Sequence, residues 1–544
     1  MTGSYGVEDR FARITITFSV LLLLLGGIFG LAQVINRAPY FELPSFLEVS
    51  PKTYYTFLTG HGVFLAVAIP IFWITGFTAY LAPRVLGKNL RGGLLRLSLL
   101  MMFAGAIMAA AAILSGRSAV LYTFYAPLKA HPLFYLGAAL LVLGSWVFAA
   151  AFFLQYLEWR RENRGRGTPI AVYGLLTTFI VWIEATVPLV IDVLKNLLPM
   201  SLFGAKVDAL EARTWFWFFG HPLVYFWLLP IVTLWYYMIP KMLGVRIFSE
   251  KMARVAFIMF IIASTPVGLH HQLVDPGVSA VYKYLQVLLT LVVASPSLLT
   301  AFNILATMEM GGKARGGGAL SWILKQPWGN PVYAGLAVTF IVFGIGGLTG
   351  IINAGYQLNL LVHNTTWIVG HFHMTVATIV AVGYIAATYS LLAELFGKGV
   401  KWPRLALAQP YLWLVGILIF SFSYYIAGME GAPRRMLNIE GAGGPPIPSE
   451  WIYTLQLGAV GGIVMSASGA LAVLVFFYSL LRGGIAVARI APNPHPEEGD
   501  PYHPLLENWR LWIAVAIVLI LVAYIPTFYE LYSRGLAPVS PVGV

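Results

Sequence analysis

The chain has 544 residues, 59% hydrophobic and only 10% charged, with a net charge of +12 and no cysteine. Soluble domains carry about a quarter charged residues, so this composition excludes a soluble protein and indicates a polytopic membrane protein. The missing thiols exclude disulfides, iron-sulfur clusters, thiolate copper and zinc-thiolate sites, which leaves histidine as the strongest soft-metal ligand.

An apolar run must hold about 20 residues to cross a hydrocarbon core of ~30 Å. Thirteen such spans are predicted: 14–35, 53–82, 93–115, 131–157, 169–194, 213–240, 252–273, 279–307, 331–353, 363–396, 405–428, 451–481 and 509–532. The expected fold class is an all-α integral membrane protein with 1–544 as one polytopic domain. The first run follows Arg10 and Arg13, is too long for a signal-peptide core and lacks a small-residue cleavage site, so it is expected to be retained. With the N-terminus inside, about two thirds of the 34 Lys and Arg fall on the inner side, led by Arg160, Arg161, Arg164 and Arg166. This distribution predicts a cytoplasmic N-terminus and an outer C-terminus, and it follows the bilayer instead of a nucleic-acid face.

Apart from His131 and His363, which only open their spans, six of the ten histidines lie within predicted spans. His61, in Thr59-Gly60-His61-Gly62, belongs to span two. His221 belongs to span six, in Gly220-His221-Pro222-Leu223-Val224-Tyr225. His270 and His271 close span seven, and His371 and His373 open span ten in Trp367-Ile368-Val369-Gly370-His371-Phe372-His373-Met374. On the predicted topology all six lie toward the outer membrane face. Ionisable side chains in a bilayer are costly and mark function by default, and scattered structural histidines have no reason to share a depth.

The spacing divides them. His371 and His373, two apart on a helix, point about 200° away from each other, so one helix offers an imidazole to each of two neighbours. His270 and His271, about 100° apart, can meet one point if His221 approaches from another helix. Three imidazoles with an open position suit copper or another first-row metal. His61 and the span-ten pair would then serve two haems, one six-coordinate and one open to a small ligand. Tyr225 lies one helical turn after His221, on the same face.

These motifs resemble the main subunit of the haem-copper oxygen reductases, and the match runs through nearly all the spans. Leu223 stands where the commonest branch carries glutamate, and this wording is similar to the B-type, ba3-like cytochrome c oxidases. The resemblance implies that His221, His270 and His271 bind the copper called CuB. It implies that His371 binds the high-spin haem iron, expected to be a-type, and that His61 and His373 bind the low-spin haem, expected to be b-type. Tyr225 would be cross-linked to His221. Arg434, Arg435, His363 and Asn364 would hold haem propionates, while Asn359 stands where relatives carry aspartate. Arg213 and Asp275 end neighbouring helices at one level, where a pair between them is expected.

Ser297, Thr300, Tyr236 and Ser249 lie farther inward than Tyr225 and match the family's K-like proton path. Val232 replaces a path tyrosine, which suggests a reroute through water or Thr233. Together these imply four-electron reduction of O2 to water, with electrons arriving through the low-spin haem, proton uptake from the inside and proton translocation across the membrane. The implied partners are a subunit II carrying a dinuclear copper centre, since this chain has no thiolate for one, cytochrome c as donor and a small single-helix subunit. Quinol as donor stays open. A nitric oxide reductase is the enzymatic rival, disfavoured by Tyr225; a secondary transporter, colourless and with broken helices at the midplane, is the other.

Overall fold

The computed structural model describes residues 5–40, 48–437, 446–491 and 502–543. Among them are thirteen helices long and apolar enough to cross a membrane. In chain order these are α1 (Gly6–Arg37), α2 (Pro51–Leu86), α3 (Gly92–Leu114), α4 (Pro132–Glu162), α5 (Ile170–Phe203), α6 (Ala209–Leu243) and α7 (Glu250–Gln272). They continue as α8 (Ala280–Ala314), α9 (Pro331–Ala354), α10 (Thr366–Glu394), α11 (Pro403–Met429), α12 (Ser449–Arg482) and α13 (Trp509–Ser533). The number and order match the thirteen predicted runs. The helices extend past the apolar stretches because polar first and last turns stay helical; α1, for example, begins at Gly6 and takes in Glu8 and Asp9.

Burial sorts the helices by role. The most apolar stretches of α2, α6, α7 and α10 are 83%, 89%, 78% and 89% buried, against 33% for α3 and α8 and 28% for α13. The four most enclosed helices are the four that carry the histidines, so those imidazoles face protein and not lipid. The outer helices pack through small residues: a Cβ on Gly105 of α3 would lie 2.5 Å from the carbonyl of Gly137 on α4, so only glycine permits that approach.

Helix starts follow their capping residues. Ser50 accepts from the Thr53 amide with Pro51 in the first turn of α2, and Asn330 accepts from the amides of Val332 and Tyr333 at α9. Three of the four histidine helices leave α-geometry beside their histidines: α2 is π-helical over Val63–Ala68, α7 ends as a 3-10 helix over Thr265–Gln272, and α10 is π-helical over His373–Ala377. Such departures re-aim side chains at functional sites.

One polar knot ties the bundle near the start of α5. Arg254 of α7 is fully buried, donates to Glu507 at 3.0 Å and to the Thr168 carbonyl at 2.7 Å, and also pairs with Glu250. Glu507, just before α13, additionally accepts from the Thr168 amide and hydroxyl. A two-residue parallel pair joins β1 (Leu128–Lys129) to β2 (Val542–Gly543) and fastens the C-terminal segment to the loop before α4.

Candidate metal centre

Two cavities lie side by side in the bundle, and α10 forms the wall between them. His371 lines one and His373 the other, while Phe372 lines both. The spacing of two residues thus aims one ring into each cavity.

The larger cavity, about 490 Å³, is lined by His221, His270, His271, His371 and Tyr225. His221, His270 and His271 each offer a nitrogen, and the three atoms lie within 4.8 Å of one another. Their other contacts select which nitrogen is free. His270 Nδ1 pairs with the Thr290 hydroxyl at 2.7 Å, which leaves Nε2 to the centre. His221 turns Nδ1 toward His271 Nε2 at 3.3 Å and Nε2 toward the Tyr225 hydroxyl at 3.2 Å. The His271 ring stacks on Trp217 at 3.7 Å. Against the α-helix expected from sequence, His270 and His271 stand on a 3-10 helix, where adjacent residues are about 120° apart instead of 100°. Across the cavity, His371 fixes Nδ1 on the Gly346 carbonyl at 2.9 Å and the Thr349 hydroxyl at 3.1 Å, so Nε2 faces inward. An outer nitrogen held in this way is what a metal-binding imidazole requires.

The other cavity, about 460 Å³, lies between His61 and His373. Their rings are nearly parallel, 15° apart, with centroids separated by 6.0 Å. Two metal-nitrogen bonds of about 2 Å plus the two half-rings fill that gap. His61 Nδ1 meets the Gly26 carbonyl and His373 Nδ1 the Val369 carbonyl, both at 2.8 Å. The donor sets fit a copper ion with one haem iron in the larger cavity and a second, axially capped iron in the other.

Cations line the cavity ends nearest the last turn of α1. Arg434 donates to Asn364 Oδ1 and lines the larger cavity; Arg435 and Arg37 line the other. Nε and Nη2 of Arg435 and Nε of Arg37 are buried without a hydrogen-bond partner among the described residues, a donor set matched to an anion such as a haem propionate. Asn364 and Arg435 both adopt positive φ, 58° and 63°, a strain retained where side-chain direction matters. Tyr122 lines both cavities, with Arg435 4.7 Å above its ring. Burial works to raise the Tyr122 phenol, but Arg435 and Arg434 together outweigh it and bring it down to about 8. His363 pairs through Nδ1 with Asn359 Oδ1 at 3.2 Å, and burial, followed by Arg434, lowers it to about 4. Arg213 and Asp275 form the expected pair at 3.0 Å. Burial still raises Asp275, with Arg213 opposing it.

Away from the arginines the larger cavity continues past Tyr225 and Val232 to Ser297 and Thr300. The Tyr236 hydroxyl donates to Thr300 Oγ1 at 3.0 Å, and Asn303 next to it bonds the amide and carbonyl of Ser249 at 3.0 and 2.7 Å. The Ser249 hydroxyl itself caps Met252. Thr233 is placed off this line: its hydroxyl donates to the Leu229 carbonyl and faces Gly174 on α5. Next to Val232 on a helix, it points about 100° away from the cavity that Val232 lines.

Arg37, Tyr122, Thr290, Thr349 and Asn303 escaped sequence reasoning. Arg37 had a signal, a lone cation in the last turn of a span at the end opposite the basic cluster. Thr290 follows buried Gln286 by one turn on a helix whose other faces are apolar. The remaining three needed the tertiary structure.

The fold and the paired cavities define a helical membrane protein whose buried histidines are clustered as metal-binding groups. The family model described as "Cytochrome C and Quinol oxidase polypeptide I" matches residues 10–465, and the chain belongs to that family. It is 36% identical to cytochrome c oxidase subunit 1 of Thermus thermophilus, over 97% of this chain and 95% of that one. A heme-copper oxidase subunit I+III of Aeropyrum pernix is 26% identical over 88% of this chain and 57% of its own length. A cryo-EM structure of a heme-copper terminal oxidase dimer superposes with a TM-score of 0.91 at 36% identity, covering 98% of this chain and 95% of that one. The chain is the catalytic subunit of a terminal respiratory oxidase, a membrane-integral enzyme with haem and copper cofactors.

Proposed function

We propose that this subunit reduces O2 to water in the larger cavity, with copper on His221, His270 and His271 and a high-spin, a-type haem iron on His371. A low-spin, b-type haem between His61 and His373 completes the set. When bound there, the two metals of the larger cavity would supply electrons for reduction of O2, alongside Tyr225. The observation that carries the oxygen reading is the Tyr225 hydroxyl 3.2 Å from His221 Nε2. This phenol can supply a proton and an electron at the reacting site, and its contact with the imidazole supports the link between the two rings that the resemblance implies.

The remaining residues hold and move charge. Arg434, Arg435, His363 and Asn364 accept propionates at the outer end. Protons arrive from the other end by Asn303, Tyr236, Thr300 and Ser297 and reach Tyr225 past Val232. Opposite-sided arrival of electrons and protons charges the membrane, each charge being worth about 2.3 kcal/mol per 100 mV. Leu223 supports assignment to the B-type branch. The absence of cysteine supports a separate subunit II carrying the dinuclear copper centre, with cytochrome c as donor and a small single-helix subunit beside it. We place the protein in a bacterial or archaeal plasma membrane, N-terminus cytoplasmic and C-terminus outside, as a single polytopic domain.

The purified protein is expected to show two haem spectra, only one of which shifts with carbon monoxide, and to consume O2 faster than nitric oxide. A colourless protein, or turnover with nitric oxide alone, overturns this reading.

A further inference from the structure

The 3-10 end of α7 is unusual in length. Runs beyond three or four residues are uncommon, yet Thr265–Gln272 spans eight residues and carries two of the three copper-type ligands. Helix type matters here because the two geometries diverge by about 20° and 0.5 Å per residue. Over the five steps from Thr265 to His270 the difference reaches about 100° and 2.5 Å. Relaxation into an α-helix would turn His270 out of the cluster.

What keeps the segment in this form comes from outside it. Pro266 has no N–H to give. The Gln286 amide, fully buried on α8, accepts from the Leu269 amide at 3.2 Å and donates to the Pro266 carbonyl at 3.0 Å. Those are the two groups that a 3-10 turn joins directly, so the side chain is inserted into the ladder. The Tyr524 hydroxyl of α13 accepts from the Gly268 amide at 3.0 Å. Its ring is locked by stacking on Phe218 at 3.6 Å and 5°. Gly268 admits no side chain, because a Cβ would lie 2.2 Å from the Trp217 carbonyl and 2.4 Å from the Tyr524 hydroxyl. Thr290, which holds His270, in turn donates to the Gln286 carbonyl at 2.6 Å.

We infer that Gln286 and Tyr524 are positioning residues that hold the 3-10 twist of Thr265–Gln272 and thereby set the geometry and retention of the metal on His221, His270 and His271. The inference rests on the copper reading of that triad. It gives the thirteenth helix, otherwise the most lipid-exposed of the set, a direct role in the metal centre.

The test compares Gln286→Leu and Tyr524→Phe with the parent in the assembled oxidase. Tyr524→Phe keeps the stacked ring and removes only the hydroxyl. Tyr173→Phe is the control, since it deletes a buried tyrosine hydroxyl of the same kind, bonded to the Leu506 carbonyl at 2.6 Å in the first turn of α5. The readouts are copper lost to a chelator over time and the infrared band of carbon monoxide on copper, with haem spectra recorded in parallel. Copper loss on the order of tenfold faster in both variants is expected, together with a displaced or broadened band, unchanged haem spectra and a parent-like control. Copper retention and band equal to the parent in both variants would overturn the inference. Equal copper loss in Tyr173→Phe also overturns it, because general loosening then explains the effect. A parent protein without copper overturns the reading of the triad, and the inference with it.

Discussion

Replacing Thr300 by valine changes almost nothing in shape and removes one hydroxyl from the inward line. Tyr236 and Thr300 are each 2% exposed, and their oxygens are 3.0 Å apart, so bulk water cannot stand in for the missing group. Tyr236 is left with Asn303, and the proposed step toward Ser297 is broken. Positioned proton-transfer groups contribute on the order of 100-fold or more to rate, equivalent to about 2.7 kcal/mol in barrier. Thr300→Val and Tyr236→Phe should therefore each lower steady-state O2 consumption on the order of 100-fold, with both haem spectra intact, and Thr300→Ser should restore it. Because both changes cut the same link, the double variant should be no slower than the slower single, a coupling of about 2.7 kcal/mol in a double-mutant cycle. Costs that multiply toward about 10,000-fold, or single variants within about twofold of the parent, would refute a shared relay through this pair.

The two iron sites should be separable by single methyl groups. A Cβ on Gly30 would lie 2.7 Å from His61 Nδ1, and one on Gly350 2.8 Å from His371 Cε1. Gly30→Ala should disturb the spectrum insensitive to carbon monoxide and Gly350→Ala the sensitive one; the reverse pattern contradicts the assignment. Glu507→Gln leaves the fully buried Arg254 with less compensation and should cost about 3 kcal/mol or more, read as a lower thermal unfolding midpoint. An unchanged midpoint would show that the knot contributes nothing net. His363, at about 4 in the folded chain against about 6.5 unfolded, contributes stability that is fully present above about pH 6.5 and is lost as pH falls toward 4. His363→Gln should flatten the pH dependence of unfolding in that window; a parent-like slope would contradict the shift.

The sequence made the span count and the grouping of six histidines legible because both depend on local rules. Hydropathy sets the spans, and residue spacing sets which way His371 and His373 point. That α7 ends as a 3-10 helix was beyond its reach, because this form depends on Gln286 of α8 and Tyr524 of α13, which meet the segment only through packing. Thr233 shows the converse limit. Its place next to Val232 in the chain suggested a shared line, but one helical step turns it toward Gly174. Arg37 and Tyr122 belong to α1 and to the loop before α4, far in sequence from the α10 histidines, so no local pattern links them to the cavities they line.

Phe372 is the only residue between His371 and His373, so the chain itself is the ruler between the two proposed iron sites. Their separation is set by covalent geometry and about half a helical turn, and looser packing elsewhere cannot stretch it. A substitution that tilts α10 must therefore move both centres together, whereas one on α2 or α7 can retune a single centre and leave its neighbour in place.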